Sequence, residues 1–128
     1  MKNITAIILT VAFLTTVPCN AAPNSLFEEG DRVRSIAKTL PAGTVPADWH
    51  FFIFNEAQWI NRPGAGTHTA YSYLDSKHTY IRETYILRST DEQLRHTIAH
   101  EMGHRICNCT DEATAEGIAA KILTQDSH

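Results

Sequence analysis

Two histidines four residues apart, with a glutamate directly after the first, are the part of this chain best suited to chemistry: His100-Glu101-Met102-Gly103-His104. On a helix, positions four apart share one face, so both imidazoles can converge on a single divalent ion while Glu101 points into the same space. Neutral imidazole nitrogen suits a borderline-soft ion such as Zn²⁺. Three protein ligands leave a fourth position for water, and the ion lowers that water's pKa towards neutrality. A carboxylate at Glu101 would take the proton and pass it to a leaving amine. The pattern points to metal-assisted hydrolysis, with His100 and His104 as ligands and Glu101 as general base.

A helix must carry these residues, and the flanking sequence supplies its ends. Ser89 and Thr90 each offer an N-cap, with Glu92 and Gln93 three residues on, so a capping box opens a helix about ten residues before His100. Leu94, Ile98, Met102 and Ile106 recur every four residues and predict a buried stripe that leaves the HExxH residues on another face. Ala99 and Gly103 keep the helix slim beside the site. Asn108 can adopt the left-handed conformation that ends a helix, and Thr110 can cap a second one beginning Asp111-Glu112 and running to about Leu123. Ala115, Ile118, Ala119, Ile122 and Leu123 form its expected buried stripe. A tight turn between the two helices can return Glu112 to the metal as third ligand; the other reading is that these acids only favour the helix N-terminus.

Upstream, Ser25-Leu26-Phe27-Glu28 is another capping box and predicts a helix to about Leu40, ended by Pro41-Ala42-Gly43. Trp49 to Phe54 is apolar on nearly both faces, as expected of a central strand. Residues 61–66 read as a loop. Residues 67–74 and 78–87 read as a hairpin about Asp75-Ser76-Lys77. The sum is an α+β fold: an N-terminal helix, a small mainly antiparallel sheet, the HExxH helix and a following ligand-bearing helix. Residues 67–74 are the expected sheet edge along the cleft, where a peptide could add as an extra strand. Tyr71, Tyr73, Tyr80 and Tyr85 are candidates for a phenol that stabilises an oxyanion, although alternating strand aromatics more often pack in cores or across strands. His96, one turn before His100, is expected at the surface, and His50, His68 and His78 carry no spacing signal.

Composition bounds the rest. Lys2, the apolar run Ile4 to Val17 and the small-residue box Cys19-Asn20-Ala21 read as an export signal over residues 1–21, leaving residues 22–128 as one domain. That run is short for a membrane span, so no stable membrane insertion of the mature chain is expected, and its location is expected to be periplasmic or secreted. Losing Lys2 takes the formal charge from −3 to −4, and no Lys/Arg cluster interleaved with aromatics survives, which argues against a nucleic-acid partner. Cys107 and Cys109 remain. Their spacing argues against a mutual disulfide and leaves them buried and reduced or paired with another chain. A rival is a closed structural site in which His100, His104, Cys107 and Cys109 bind zinc, leaving Glu101 and Glu112 without a role.

His100-Glu101-x-x-His104 followed by Glu112-x-x-Ala115-Glu116 resembles the gluzincin pattern HExxH…ExxA[DE]. Ala70-Tyr71-Ser72-Tyr73-Leu74, His78-Thr79-Tyr80-Ile81 and Ile98-Ala99-His100-Glu101 are similar to signatures of the peptidase family that includes HtpX and the CAAX prenyl endopeptidases. The resemblance covers residues 49 to 123. It implies a zincin-like fold, Zn²⁺ held by His100, His104 and Glu112, and Glu116 buttressing a ligand histidine. It implies a zinc-dependent endopeptidase acting on a peptide or protein substrate, or a non-catalytic relative that binds or inhibits a partner. Glu116 stands where aspartate is commoner, and members are usually larger and membrane-embedded, so the chain looks most like the pared-down minigluzincin type. The family's further histidine or arginine near the reacting carbonyl has no evident counterpart.

Overall fold

The computed structural model describes residues 30–61 and 68–125, so the expected leader, the start of the first helix and most of the 61–66 loop lie outside the described residues. Among them, the fold is α+β, with five helices and one small mixed sheet. Helix α1 occupies residues 30–37 and buries Val33, Ile36 and Ala37. Arg32 on its outer side donates to the carbonyls of Ile86 and Ser89, each at 2.8 Å, and to the Asp91 carboxylate. These bonds tie α1 to the segment that leads into the helix carrying His100 and His104.

The sheet contains β1 (His50–Phe54), β2 (Ala70–Tyr73) and β3 (His78–Arg82), in the order β1-β3-β2. The hairpin β2–β3 is antiparallel, as its tight turn requires, and Lys77 in that turn takes a left-handed φ of 56°. β1 pairs with β3 in parallel, so one of the two pairings departs from the expected mainly antiparallel sheet. The cause is the strand order: after β1 and α2 (Glu56–Ile60), β2 occupies the far edge, and its hairpin turns β3 back between β2 and β1 in the direction of β1. β1 is therefore an edge strand and β3 the central one, the reverse of what the apolar run at 49–54 suggested. On its outward face Phe52 and Phe54 pack against Tyr80, with Phe52 still 40% exposed.

Residues 83–88 correct a second expectation. The strand over 78–87 stops at Arg82, and Glu83–Arg88 form a short helix, α3. The β-branched and aromatic content of this stretch suits a strand, but β1 and β2 both end where they pair Arg82 and Ile81, so among the described residues no strand lies beside it beyond that point. The junction is fastened by Glu56, whose carboxylate accepts from Arg82 Nε and Nη2 and from the Thr84 hydroxyl.

Helix α4 (Asp91–Cys107) starts at the expected box, with Thr90 and Gln93 each accepting the other's backbone N–H. It ends at Asn108, left-handed at φ 50°, ψ 48°, where the Asn108 N–H reaches back to the last turn. Helix α5 (Glu112–Gln125) follows; its cap is Asp111, which accepts from the Thr114 N–H at 2.8 Å, so the expected cap at Thr110 moves by one residue. Leu94, Ile98, Ala99 and Met102 of α4 pack against Ala119 and Ile122 of α5 and against Phe51, Ala70 and Ile81 of the sheet. Ile106, the fourth member of the expected stripe, is 48% exposed. The two helices come into close contact at Gly103, where an added Cβ would clash with the Ala115 carbonyl oxygen.

Candidate metal centre

The wall of α4 facing away from the core carries His100, Glu101 and His104 into a cleft of about 500 Å³, closed on its other sides by β2 and the beginning of α5. The four-residue spacing sets the two imidazoles edge to face, with ring centroids 4.9 Å apart and planes at 83°. The Asn108 turn brings α5 back so that Glu112 faces both rings. Its Oε2 lies 2.8 Å from His100 Nε2 and its Oε1 3.3 Å from His104 Nε2. Ligand atoms of His100, His104 and Glu112 all lie within 4.8 Å of one another, a group that could hold a metal ion.

The hydrogen bonds behind the rings decide which nitrogens are bare. His100 Nδ1 meets Glu116 Oε2 at 2.7 Å, and His104 Nδ1 meets the Cys109 carbonyl at 3.0 Å. Both partners only accept, so both Nδ1 atoms carry the hydrogen, and in neutral rings both Nε2 atoms present lone pairs to the Glu112 carboxylate. Three acceptors converging on one point need a donated proton or a cation between them. Burial pulls the pKa of His100 down, but its bonds to Glu116 and Glu112 outweigh this and leave it above the ordinary value. The bond to His100 holds Glu116 below the usual carboxylate range, so Glu116 stays an acceptor. Its other oxygen meets His96 Nε2, which places His96 at the cleft, partly exposed but engaged.

Glu101 is only 4% exposed, and burial raises its pKa; a hydrogen bond from the Ser72 hydroxyl, 2.6 Å from Oε2, opposes that rise. Ser72 lies on β2, the edge strand expected along the cleft. No sequence signal singled it out, because strand and helix meet here across a separation of 29 residues. Of the tyrosines, Tyr71 borders the cleft; Tyr85 shares a 2.6 Å hydrogen bond with Thr97, while Tyr73 and Tyr80 pack in the aromatic face of the sheet. His50 and His78 sit side by side on that outer face, and His68 lines the cleft mouth.

Cys107 and Cys109 form a disulfide, against the expectation from their spacing. The left-handed residue between them folds the chain back and brings their Cα atoms to 5.2 Å, within the ordinary range for a bridge. The closed Cys₂His₂ arrangement is thereby excluded in this structure, since neither sulfur is free to ligate. The chain matches no protein-family model, no curated protein and no solved structure.

Proposed function

We propose that this chain is an exported zinc-dependent endopeptidase of gluzincin type, with a minimal zincin-like domain. The observation that carries the proposal is the paired hydrogen bonding behind the two histidines, which leaves both Nε2 atoms facing Glu112 at the floor of an open cleft. Two imidazoles and one carboxylate suit zinc, whereas calcium and magnesium favour sets of oxygen ligands. His100, His104 and Glu112 would hold the ion, and Glu116 and the Cys109 carbonyl would fix the two rings from behind. When bound, zinc would supply Lewis acidity that makes a water molecule acidic near neutral pH. Glu101, which lines the same cleft and is pushed towards a higher pKa by burial, would be suited to take a proton from water and return it to a leaving amine. An extended peptide laid along β2 would gain main-chain hydrogen bonds with little side-chain selectivity. Residues 1–21 have the pattern of an export signal, in keeping with a periplasmic or secreted location and with a disulfide.

The test is Glu101→Gln. Glutamine preserves shape and leaves the ligands intact but cannot accept the proton, so hydrolysis of unfolded casein should fall by roughly 10²-fold or more while zinc content stays unchanged. A variant with full activity removes Glu101 from the reaction.

A further inference from the structure

Behind Glu101 runs a line of hydroxyls, from the cleft wall into the core, that the proposed reaction leaves without a role. Trp49 Nε1 lies 2.8 Å from Thr79 Oγ1, Thr79 Oγ1 lies 2.8 Å from Ser72 Oγ, and Ser72 Oγ lies 2.6 Å from Glu101 Oε2. Trp49 is 7% exposed and Thr79 fully buried. An indole N–H only donates, so Thr79 accepts at that end. At the other end an ionised carboxylate only accepts, and the single Ser72 proton goes to it. Thr79 must then be the donor to Ser72. Every proton in the line points from Trp49 towards Glu101, and no hydroxyl has a second orientation that keeps all three bonds.

We infer that Ser72 is a positioning residue for Glu101, its own hydroxyl direction set by Thr79 and Trp49. Resting on the proposed hydrolytic role of Glu101, this assigns the two carboxylate oxygens different tasks. Oε2 is fixed to the sheet by Ser72, and Oε1 is left for water in the cleft. Because Ser72 belongs to β2, the strand along which a peptide would lie is joined directly to the base. A carboxylate freed from Ser72 can turn about its last side-chain bonds, and the loss would fall on turnover, not on substrate or metal binding.

The test uses the full mature chain. Zinc-loaded Ser72→Ala should lose about tenfold or more in kcat, with KM and zinc affinity within about twofold of the parent, and Ser72→Thr should restore most of the rate because it restores the hydroxyl. Thr79→Val, close to isosteric, should lower kcat severalfold, with Thr79→Ser as its rescue. Should Ser72→Ala fail to fold, the Thr79 pair carries the same comparison. A second readout needs neither metal nor activity. In the metal-free protein, Glu101→Gln should shift the Trp49 indole N–H resonance through the line, Trp59 serving as internal control, and that response should vanish in a Ser72→Ala background. Unchanged kcat in Ser72→Ala, or no response of the Trp49 indole to Glu101→Gln, overturns the inference. An inactive parent chain that still shows the indole response would count against the peptidase reading while leaving the hydroxyl line standing.

Discussion

Replacing Gly103 by alanine tests whether the proposed metal centre depends on the close approach of α4 and α5. In an ordinary helix interior the change would stabilise the protein by about 1 kcal/mol, since glycine gives up more backbone freedom on folding. Here the added Cβ would meet three backbone atoms of Ala115, its oxygen at 2.3 Å, carbon at 2.9 Å and Cα at 3.0 Å. No rotamer relieves a backbone clash. Restoring ordinary contact at 3.4 Å requires the helices to separate by about 1 Å at this point. Overpacking of this kind costs about 1–3 kcal/mol, which outweighs the propensity gain and predicts a net loss of up to about 2 kcal/mol. Each kcal/mol should lower the melting temperature by ~4–8 °C in a domain of this size. Glu112 lies one turn before Ala115 on the same helix, so its carboxylate would also be drawn away from the rings, with zinc affinity reduced tenfold or more. Gly117, whose added Cβ would meet nothing within 4 Å, is the control: Gly117→Ala should stabilise by about 1 kcal/mol and leave zinc affinity alone. Thermal denaturation of metal-free protein and zinc-chelator competition measure both effects. If Gly103→Ala stabilises the fold like Gly117→Ala and keeps its affinity, the helix contact does not place Glu112.

Three further perturbations probe the ligand set and the frame. Glu112→Ala should strip zinc from the protein, whereas joint Cys107→Ser and Cys109→Ser should retain one zinc per chain; metal analysis showing the opposite would restore the rival closed site. Glu116→Ala should weaken zinc affinity by roughly 10- to 100-fold and Glu116→Asp much less, measured by chelator competition, because the alanine variant loses the acceptor that orients His100. Arg82 and Thr84 hold Glu56 down at about 2 from an ordinary 4.5, so its stabilising effect is fully present above about pH 4.5 and lost as pH falls through about 2. Denaturant titrations should find Glu56→Gln less stable than the parent at pH 7, with the gap closing towards pH 2; a gap independent of pH would mean that the Glu56 charge is not what fastens β3 to α2.

What could be read from the sequence was local. Thr90 and Gln93 cap α4 and Asn108 ends it because each acts on backbone within a few residues, and the 3.6-residue period of Leu94, Ile98 and Met102 needs no knowledge of the partner. The convergence of Glu112 on the two rings was approachable for the same reason, since only a short turn separates them. The parallel edge position of β1 depends on how the later hairpin lies against it, and α3 arises because β1 and β2 end alongside Arg82 and Ile81; neither leaves a local trace. The Cys107–Cys109 bridge hinges on the left-handed turn at Asn108, which was anticipated without its consequence for the flanking sulfurs. Ser72 and Thr79 look like ordinary strand residues, and their link to Glu101 exists only once β2 lies against α4. The contact of Glu116 with both His96 and His100 likewise depends on how α5 lies against α4.

The most direct test is hydrolysis of unfolded casein by the purified mature chain in three states: as loaded with one equivalent of zinc, after removal of the metal by a chelator, and after zinc is returned. Cleavage should occur in the first state, be absent in the second and recover in the third, with Glu101→Gln inactive in all three. Cleavage that persists in chelator, or a zinc-loaded parent chain that cleaves no faster than Glu101→Gln, would contradict the proposed zinc-dependent hydrolysis.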